Sequence, residues 1–475
     1  MKRVAIIGGG ISGLSAAFHL EKSRAAGADL SYTLYESGKC LGGSMHSTRL
    51  DGCLVEAGPD SFLTEKPWAL SLCQELGIDD QMIGSNDAQR KTYIVVKNRL
   101  IAMPDGLMFM VPTKLVPTAL TPLFSLKTKI RMAQELLHPP RPMQDDESVG
   151  ELVERHFGAE VVDRLADPLL SGVYGGDANK LSARAVLPRF VEMEEKYGSL
   201  SRAMLAAHNK MKAMAGKHPP RPLFSSLKDG MQQMVDTVTA RLDQTALRTN
   251  TRVRGVYRED EQWRVAVDLG SSELYDAVIV ATPANVAGAL LEAVDRDLAE
   301  DLLGVTYSSS VTVTLGYYAN QLTHLPPGFG FLVPRSEGRR MLACTFVHNK
   351  FPHRAPADKG ILRCFLGGAR DEGVLSLTDD EVVATVRAEL KELVKLEARP
   401  MFERVYRWRG AMAQYESGHL ARVERIERRV KAIAGLELAG NAYHGIGVPD
   451  CIREGTSAAN AVVQTLTMAA SGQSR

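Results

Sequence analysis

A chain of 475 residues with 45% hydrophobic and 24% charged residues has the balance of an ordinary globular protein, and its length exceeds one simple core, so two or three lobes are expected. A net charge of +1 removes any global argument for a nucleic-acid partner. Cys40, Cys53, Cys73, Cys344, Cys364 and Cys451 are scattered without a CxxC pair, so neither a disulfide frame nor a metal site is indicated and a reduced, cytoplasmic setting is expected; the N-terminus runs straight into a strand, so no leader peptide is expected.

Residues 2–36 set the frame. Val4 to Ile7 is a short apolar run of the kind a buried parallel strand needs, and Gly8, Gly10 and Gly13 follow it in the spacing GxGxxG. The first glycine permits the tight turn, the second lets backbone approach a pyrophosphate, and the third lets the following helix pack closely on the strand. Unpaired N–H groups at the start of that helix would meet the phosphates, which makes Gly8, Gly9, Gly10, Ile11, Ser12 and Gly13 candidate cofactor contacts. Tyr32 to Tyr35 reads as the second strand and ends in Glu36, whose carboxylate can accept both hydroxyls of an adenosine ribose. Strand, glycine turn, helix and acid in this order predict a dinucleotide site.

A second glycine cluster, Gly42 and Gly43, again requires close backbone approach. Residues 67–77 read as a short amphipathic helix ended by Gly77, and YIVVKNRLIAMP as a hairpin turning at Lys97 to Arg99. Leu100 to Leu126 is unusually apolar, but Pro104, Pro112, Pro117 and Pro122, with Asp105 and Lys114, break it short of a membrane span. Lys114, Lys127, Lys129, Arg131 and Arg141 make residues 107–142 locally basic as well as oily. Two readings stay open: a surface resting on an anionic bilayer, or a helical subdomain that buries its own apolar face. From Leu115 to Gly176 the pattern is mainly helical, interrupted at HPPRPMQDDES; the letters HPPRP recur at residues 218–222, and both copies read as stiff connectors.

After Pro222 an α/β pattern returns, with a helix over Gly230 to Leu242, a strand, a small antiparallel meander through VRGVYRE and EQWRVAVDL, and a buried strand in YDAVIVATP. Residues 291–409 combine strands such as SVTVTLGYY, FGFLVP and GILRCFLGG with a helix over Asp379 to Leu396, as a mixed sheet with covering helices would. Leu436 to Gly440 is a last strand. Pro449 suits a first helical turn, and Ile452, Thr456, Ala459, Val463 and Leu466 mark one face of a terminal helix.

The order GxGxxG, acid, GG with Ser44, then EAGPDSF (Glu56 to Phe62) resembles the FAD-binding half of the monoamine oxidase, phytoene desaturase and protoporphyrinogen oxidase superfamily. GGGISGLSAAF, GPDSF, DPLLSGVYGGDANKLS (Asp167 to Ser182), GFGFLVPR (Gly328 to Arg335) and GIGVPDCIREG (Gly445 to Gly455) extend the resemblance over essentially the whole chain to the bacterial HemY-type porphyrinogen oxidases of haem synthesis. The middle motifs matter most, because FAD binding alone does not require them. The resemblance implies an α/β fold with a Rossmann-like FAD-binding domain of the GR2, or p-hydroxybenzoate hydroxylase, type from residues 1–84, 224–290 and 410–470. It further implies a mixed-sheet substrate-binding domain from 85–110, 178–223 and 291–409, and a helical subdomain over 111–177 as the part that would touch a membrane.

One noncovalent FAD per chain is implied, with Ser37, Ser44, Gly58, Pro59, Asp60 and Ser61 as further contacts and the backbone of Val253 at the adenine. Trp408 closes the site or packs at a lobe junction. Ile446, Gly447 and Val448 lie at the start of the terminal helix, whose dipole would favour the negative charge that collects at N1 and the C2 carbonyl of a reduced flavin. The implied reaction is six-electron oxidation of coproporphyrinogen III, or alternatively protoporphyrinogen IX, to the porphyrin in two-electron steps, with hydride passing to flavin N5 and O2 restoring FAD with release of H2O2.

Such a substrate is a broad apolar plate with carboxylates at its rim, and it wants apolar walls and a few cations. FGFLVP supplies walls, with Leu332 facing the plate. Arg90 and Lys91 fall where the resembled enzymes place a propionate-binding arginine, although solvated hairpin charges is the other reading, and Lys66 is a further candidate cation. No acid–base residue is assigned. His138, His208, His218, His324, His348 and His353 read as surface-solvated, His444 as a packing residue or flavin contact, and Cys451 as a small packing residue. An amine oxidase, a carotenoid desaturase and a noncatalytic carrier of FAD or porphyrin stay open as alternatives. So do a homodimer, peripheral membrane contact and hand-over to the next enzyme of haem synthesis.

Overall fold

The computed structural model describes residues 1–108, 110–142, 146–214 and 222–472; most of the second HPPRP copy, with His218, lies outside them. Strand β1 (Lys2–Ile7) turns through Gly8 into helix α1 (Ile11–Ala25) and returns as β2 (Leu30–Tyr35). Gly8 has φ 110°, and a Cβ there would lie 2.5 Å from the carbonyl oxygen of Ala281, so only glycine fits the turn. Helix α2 (Pro67–Leu76) opens on proline and stops at Gly77 in the left-handed conformation. The hairpin of β3 (Thr92–Val96) and β4 (Arg99–Ala102) turns on Lys97 and Asn98, both at positive φ, where the Glu337 carboxylate accepts both turn N–H groups at 2.7 and 3.0 Å.

A helical unit follows: α3 (Leu115–Leu120), α4 (Leu126–Glu135), α5 (Val149–Phe157), α6 (Asp167–Tyr174), α7 (Pro188–Tyr197) and α8 (Leu200–Met214). Its apolar cluster joins Phe124, Leu152, Phe157 and Leu165 to Leu181, Phe190 and Leu200, so residues 178–200 pack with the helices that precede them. Then come α9 (Gln232–Ala240), β5 (Leu247–Arg248), the meander β6 (Val253–Glu259), β7 (Gln262–Val267) and β8 (Ser272–Tyr275), and β9 (Ala277–Val280). Among the elements that follow are β10 (Tyr307–Tyr318), β11 (Gly330–Leu332), β12 (Met341–Phe346), β13 (Lys359–Gly367), α10 (Asp379–Val394), β14 (Phe402–Ala413), β15 (Leu436–Leu438) and α11 (Val448–Gly472).

Two sheets carry the architecture. The first is parallel, in the order β5-β2-β1-β9-β15. Alternation along β1 sends Val4 and Ile6 to a core with Leu14 of α1 and Ile452, Ala459 and Leu466 of α11, and Ala5 and Ile7 to a second core with Trp263 and Tyr275 of the meander. Helix α11 crosses α1 so closely that a Cβ on Gly455 would lie 2.0 Å from the carbonyl of Ser12. The second sheet is mixed, in the order β14-β10-β13-β12-β11-β3-β4, with β3 and β11 parallel and the other pairs antiparallel. One of its faces, through Val311, Val313, Leu362 and Cys364, packs on Val382, Val386 and Leu390 of α10. The expected α/β fold with a second, mixed sheet and a helical unit is the one observed.

The histidines need correction. His208, His324 and His353 are exposed, but His348 is tucked against β13, its Nδ1 accepting the Ile361 N–H at 3.2 Å, and His138 is half-buried beside His156. His156, unremarked in the sequence, is fully buried, with Nδ1 3.0 Å from Glu135 and Nε2 3.2 Å from Glu194. Glu135 also accepts from Ser199 Oγ and from the N–H groups of Leu200 and Ser201, which anchors the start of α8. Glu135, His138 and His156 group their ligand-type atoms within 4.8 Å, but both Glu135 oxygens already accept protein donors, so the set is a structural clamp.

Burial alone would lower the His156 pKa, yet its hydrogen bonds to the two carboxylates outweigh that and raise it. Burial likewise opposes ionisation of Glu194, but His156 and Arg155 bring its pKa down to about 2. A raised histidine pKa contributes stability that is complete below the ordinary imidazole value and is lost as pH climbs through the folded value. His156→Gln should therefore cost more stability at about pH 6 than at about pH 9. Denaturant unfolding at both pH values measures this, and equal losses would show that the imidazolium charge contributes nothing.

Candidate active site

One end of the candidate site is built by the two glycine clusters meeting. Gly42 donates its N–H to the carbonyl of Gly9 at 2.8 Å and bridges Gly10, while a Cβ on Gly43 would sit 3.3 Å from the Gly10 Cα. Gly10 stands at the N-terminus of α1, which no side chain caps, and a Cβ on Gly10 would meet nothing within 4 Å. Open ground before an uncapped helix start is what a pyrophosphate requires, so these residues fit a dinucleotide. Gly13 serves packing: a Cβ would lie 1.9 Å from the Gly8 carbonyl oxygen. Ile11 and Ser12, in the first turn of α1, are buried.

Glu36 closes this end. Its carboxylate accepts from the N–H groups of Gly9 at 2.8 Å and Gly38 at 2.6 Å, with Ser37 Oγ at 3.3 Å, which fixes it beside the turn while leaving lone pairs for a ribose. Thr251 donates its N–H to the Glu36 carbonyl at 2.9 Å, bringing the segment that leads into Val253 alongside.

Gly58 backs directly on Ser44, whose carbonyl oxygen a Cβ would approach to 2.1 Å. The Ala57 carbonyl accepts from Trp408 Nε1 at 3.1 Å and Arg363 Nη2 at 3.2 Å, and Arg363 also donates to the Gly58 carbonyl. Lys350 Nζ lies 3.0 Å from the Asp60 carboxylate, which also accepts from Ser61 Oγ at 2.6 Å. Arg354 donates to Glu56 at 2.8 Å and to the Asp60 carbonyl at 2.9 Å; Glu56 further accepts from Ser47 Oγ and the Met231 N–H. Cations from β13 and from the segment that leads into it thus lock the GPDS turn of Pro59, Asp60 and Ser61. Burial opposes the Asp60 charge, but Lys350, Arg363 and Arg354 hold its pKa far below the ordinary carboxylate range. Sequence reasoning missed all three cations, although an arginine inside the apolar run ILRCFL was a signal that something must compensate it.

At the start of α11, Gly447 donates its N–H to Asp450 Oδ2 at 3.2 Å, and Ile446 and Val448 flank it. The buried Asp450 pairs with Lys66 at 2.5 Å, so Lys66 is tied to the helix start. Burial pushes the Cys451 thiol up to about 12, which makes it a protonated packing group. His444 pairs on the surface with Glu427 at 2.7 Å.

The face of the mixed sheet opposite α10 carries a continuous row of side chains. Register aligns Leu332, Ala343, Phe365, Thr312 and Tyr406 in one row across β11, β12, β13, β10 and β14. Leu332 reaches Gly172 of α6, and the neighbouring Val173 is exposed. Arg370 holds α6 over this edge by donating to Asp167 at 2.6 Å and the Val333 carbonyl at 2.8 Å; Arg335 pairs with Asp177 at 2.9 Å. Lys91 accepts the Phe329 N–H on its carbonyl at 2.7 Å, so Arg90 and Lys91, both exposed, stand at the end of β3 beside β11.

The flavin containing amine oxidoreductase family matches residues 11–463. The coproporphyrinogen III oxidase of Bacillus subtilis (strain 168) is 34% identical over 459 residues, covering 96% of this chain and 97% of its own. That of Staphylococcus aureus is 32% identical over 472 residues, covering 98% and 100%. Protoporphyrinogen oxidase 2 of Arabidopsis thaliana is 28% identical over 98% of this chain and 94% of its own. A crystal structure from Exiguobacterium sp. 255-15, provisionally named a protoporphyrinogen oxidase, superposes with a TM-score of 0.87 at 31% identity, covering 98% of this chain and 99% of that one. With two glycine clusters, an acid at the second strand and matches along nearly its whole length, the chain belongs to the flavin containing amine oxidoreductase family, in its HemY-type branch, and is a flavin-dependent oxidoreductase.

Proposed function

We propose that the chain oxidises a porphyrinogen to the porphyrin in haem synthesis, with noncovalent FAD as cofactor and O2 as acceptor, releasing H2O2, and that coproporphyrinogen III is preferred over protoporphyrinogen IX. The row from Leu332 to Tyr406, on the sheet face from which Arg363 and Trp408 reach the Ala57 and Gly58 carbonyls, is the observation that carries this reading, because a broad plate needs an extended face to lie on. The coproporphyrinogen preference draws support from the higher identity to the bacterial enzymes of that name.

FAD, when bound, supplies the two-electron acceptor. In this reading the N–H groups of residues 8–13 receive its pyrophosphate, Glu36 its ribose and the segment at Val253 its adenine, while residues 57–61 and the start of α11 border the ring. Residues 1–84, 224–290 and 410–470 make the FAD-binding domain, and Leu332 and Phe365 orient the plate. Lys91 and Arg90 receive rim carboxylates. The first test is aerobic turnover with each porphyrinogen: porphyrin fluorescence should rise with matching peroxide, faster with the four-carboxylate substrate, and binding without either product would make the chain a carrier. Lys91→Ala should raise KM roughly tenfold or more, the loss of one charge-assisted bond, with FAD content unchanged. An unaltered KM would leave Lys91 a solvated hairpin charge.

Val116, Leu120, Leu126, Ile130 and Leu137 are exposed beside Lys127 and Lys129, and no helix among the described residues is long and apolar enough to cross a membrane. This oily, basic strip supports peripheral contact with an anionic bilayer. The protein should sediment with anionic vesicles at low salt and Leu120→Glu combined with Leu126→Glu should release it; sedimentation indifferent to both changes would place the contact elsewhere.

A further inference from the structure

The cluster that locks the GPDS turn has one positive charge too many. Glu56 and Asp60 face Lys350, Arg354 and Arg363, and the side chains of Arg354 and Arg363 are only 1% and 5% exposed. Arg363 reaches backbone carbonyls rather than a carboxylate, and the Nε atoms of Arg363 and Arg354 are buried without a partner. Among the described residues no third carboxylate hydrogen-bonds these cations: burial keeps His348 uncharged, partial desolvation with the Arg354 and Arg49 charges does the same for the exposed His353, and Tyr406 is the remaining titratable neighbour of Arg363. A guanidinium does not shed its proton, and a buried charge left uncompensated is costly. Such a cost is retained where the charge has a task.

Its position names the task. Arg363 grips the Ala57 and Gly58 carbonyls, and Trp408 shares the first of these. We propose that the surplus cation of this cluster is directed at the flavin, where it favours the reduced, anionic ring and so raises the two-electron potential of the bound cofactor. Arg363 is then a positioning residue that acts by charge. This rests on the reading that the ring lies beside residues 57–61. Transfer of a hydride adds one negative charge to the acceptor, which the surplus offsets, while the donor is left oxidised by two electrons. A rim carboxylate of the substrate is the less suitable recipient, since Arg363 is nearly inaccessible and anything entering over the row meets the more exposed Leu332 and Phe365 first.

The test is the midpoint potential and sulfite affinity of the bound flavin, with flavin content measured for each protein. Arg363→Met should disfavour two-electron reduction at least tenfold, about 30 mV more negative, and weaken sulfite binding at least tenfold. Arg363→Lys should stay close to the parent protein, and Asp60→Asn, which adds to the surplus, should shift both readouts the opposite way. Should Arg363→Met not fold, Lys350→Met against Asp60→Asn poses the same opposition of sign. Unchanged potential and sulfite affinity in flavin-loaded variants would overturn the proposal, in favour of a substrate carboxylate if the porphyrinogen KM rises and of a structural lock if it does not. A parent protein that takes up no flavin would overturn the underlying site as well.

Discussion

Gly13→Ala should purify without flavin. The added methyl would stand 1.9 Å from the Gly8 carbonyl oxygen and 3.1 Å from its carbon, both backbone atoms that no rotamer change can clear. Helix α1 must therefore retreat from β1, at an overpacking cost of about 1–3 kcal/mol or more, and it carries the phosphate-facing N–H groups with it. Gly10→Ala makes the control: its methyl meets no protein atom within 4 Å, so the fold should keep its stability while the approach of a pyrophosphate is blocked. Flavin absorbance per chain and thermal unfolding separate the two effects. Full flavin occupancy in Gly13→Ala would mean that the cofactor does not use this helix start.

Arg354→Met should be the most destabilising single change in the cluster that locks the GPDS turn, costing about 3–5 kcal/mol. Glu56 and Arg354 are both almost wholly buried and 2.8 Å apart; without the guanidinium, Glu56 keeps Ser47 Oγ and the Met231 N–H but loses the cation hydrogen-bonded to it, and Arg363 remains only as a through-space charge. Adding Glu56→Gln to Arg354→Met should recover part of the loss, because the penalty lies mainly in the orphaned carboxylate. Urea unfolding of the three variants measures this, and a cost under about 1 kcal/mol for Arg354→Met would place the pair in the class of weak surface bridges.

The residues differ in how much of this they disclosed beforehand. The β1–α1–β2 unit was legible because its signals are local: an apolar run, three glycines at fixed spacing and an acid at the next strand end. Lys97 and Asn98 announced their hairpin for the same reason, and Pro67 and Gly77 the limits of α2. Buried charge was not legible. Glu56 and Arg354 are 298 residues apart, and His156 meets carboxylates 21 and 38 residues away, so residue type and spacing could not pair them. His348 read as surface-solvated because the strand it bonds, β13, is brought beside it only by the fold. The packing of residues 178–200 on the helical unit is hidden likewise, since an amphipathic helix states that it has an apolar face but not which neighbour covers it. Lys66, selected as a free cation, turned out to lie on Asp450, which is far along the chain in α11.

In the proposed function a flavin and a flat tetrapyrrole meet between the GPDS turn and the row that runs from Leu332 to Tyr406. Anaerobic rapid mixing of the flavin-loaded protein with coproporphyrinogen III tests it most directly. The yellow absorbance should bleach in step with loss of the porphyrinogen, and porphyrin should accumulate once air is admitted. A flavin that stays oxidised with porphyrinogens but bleaches with an amine or a polyene would contradict it.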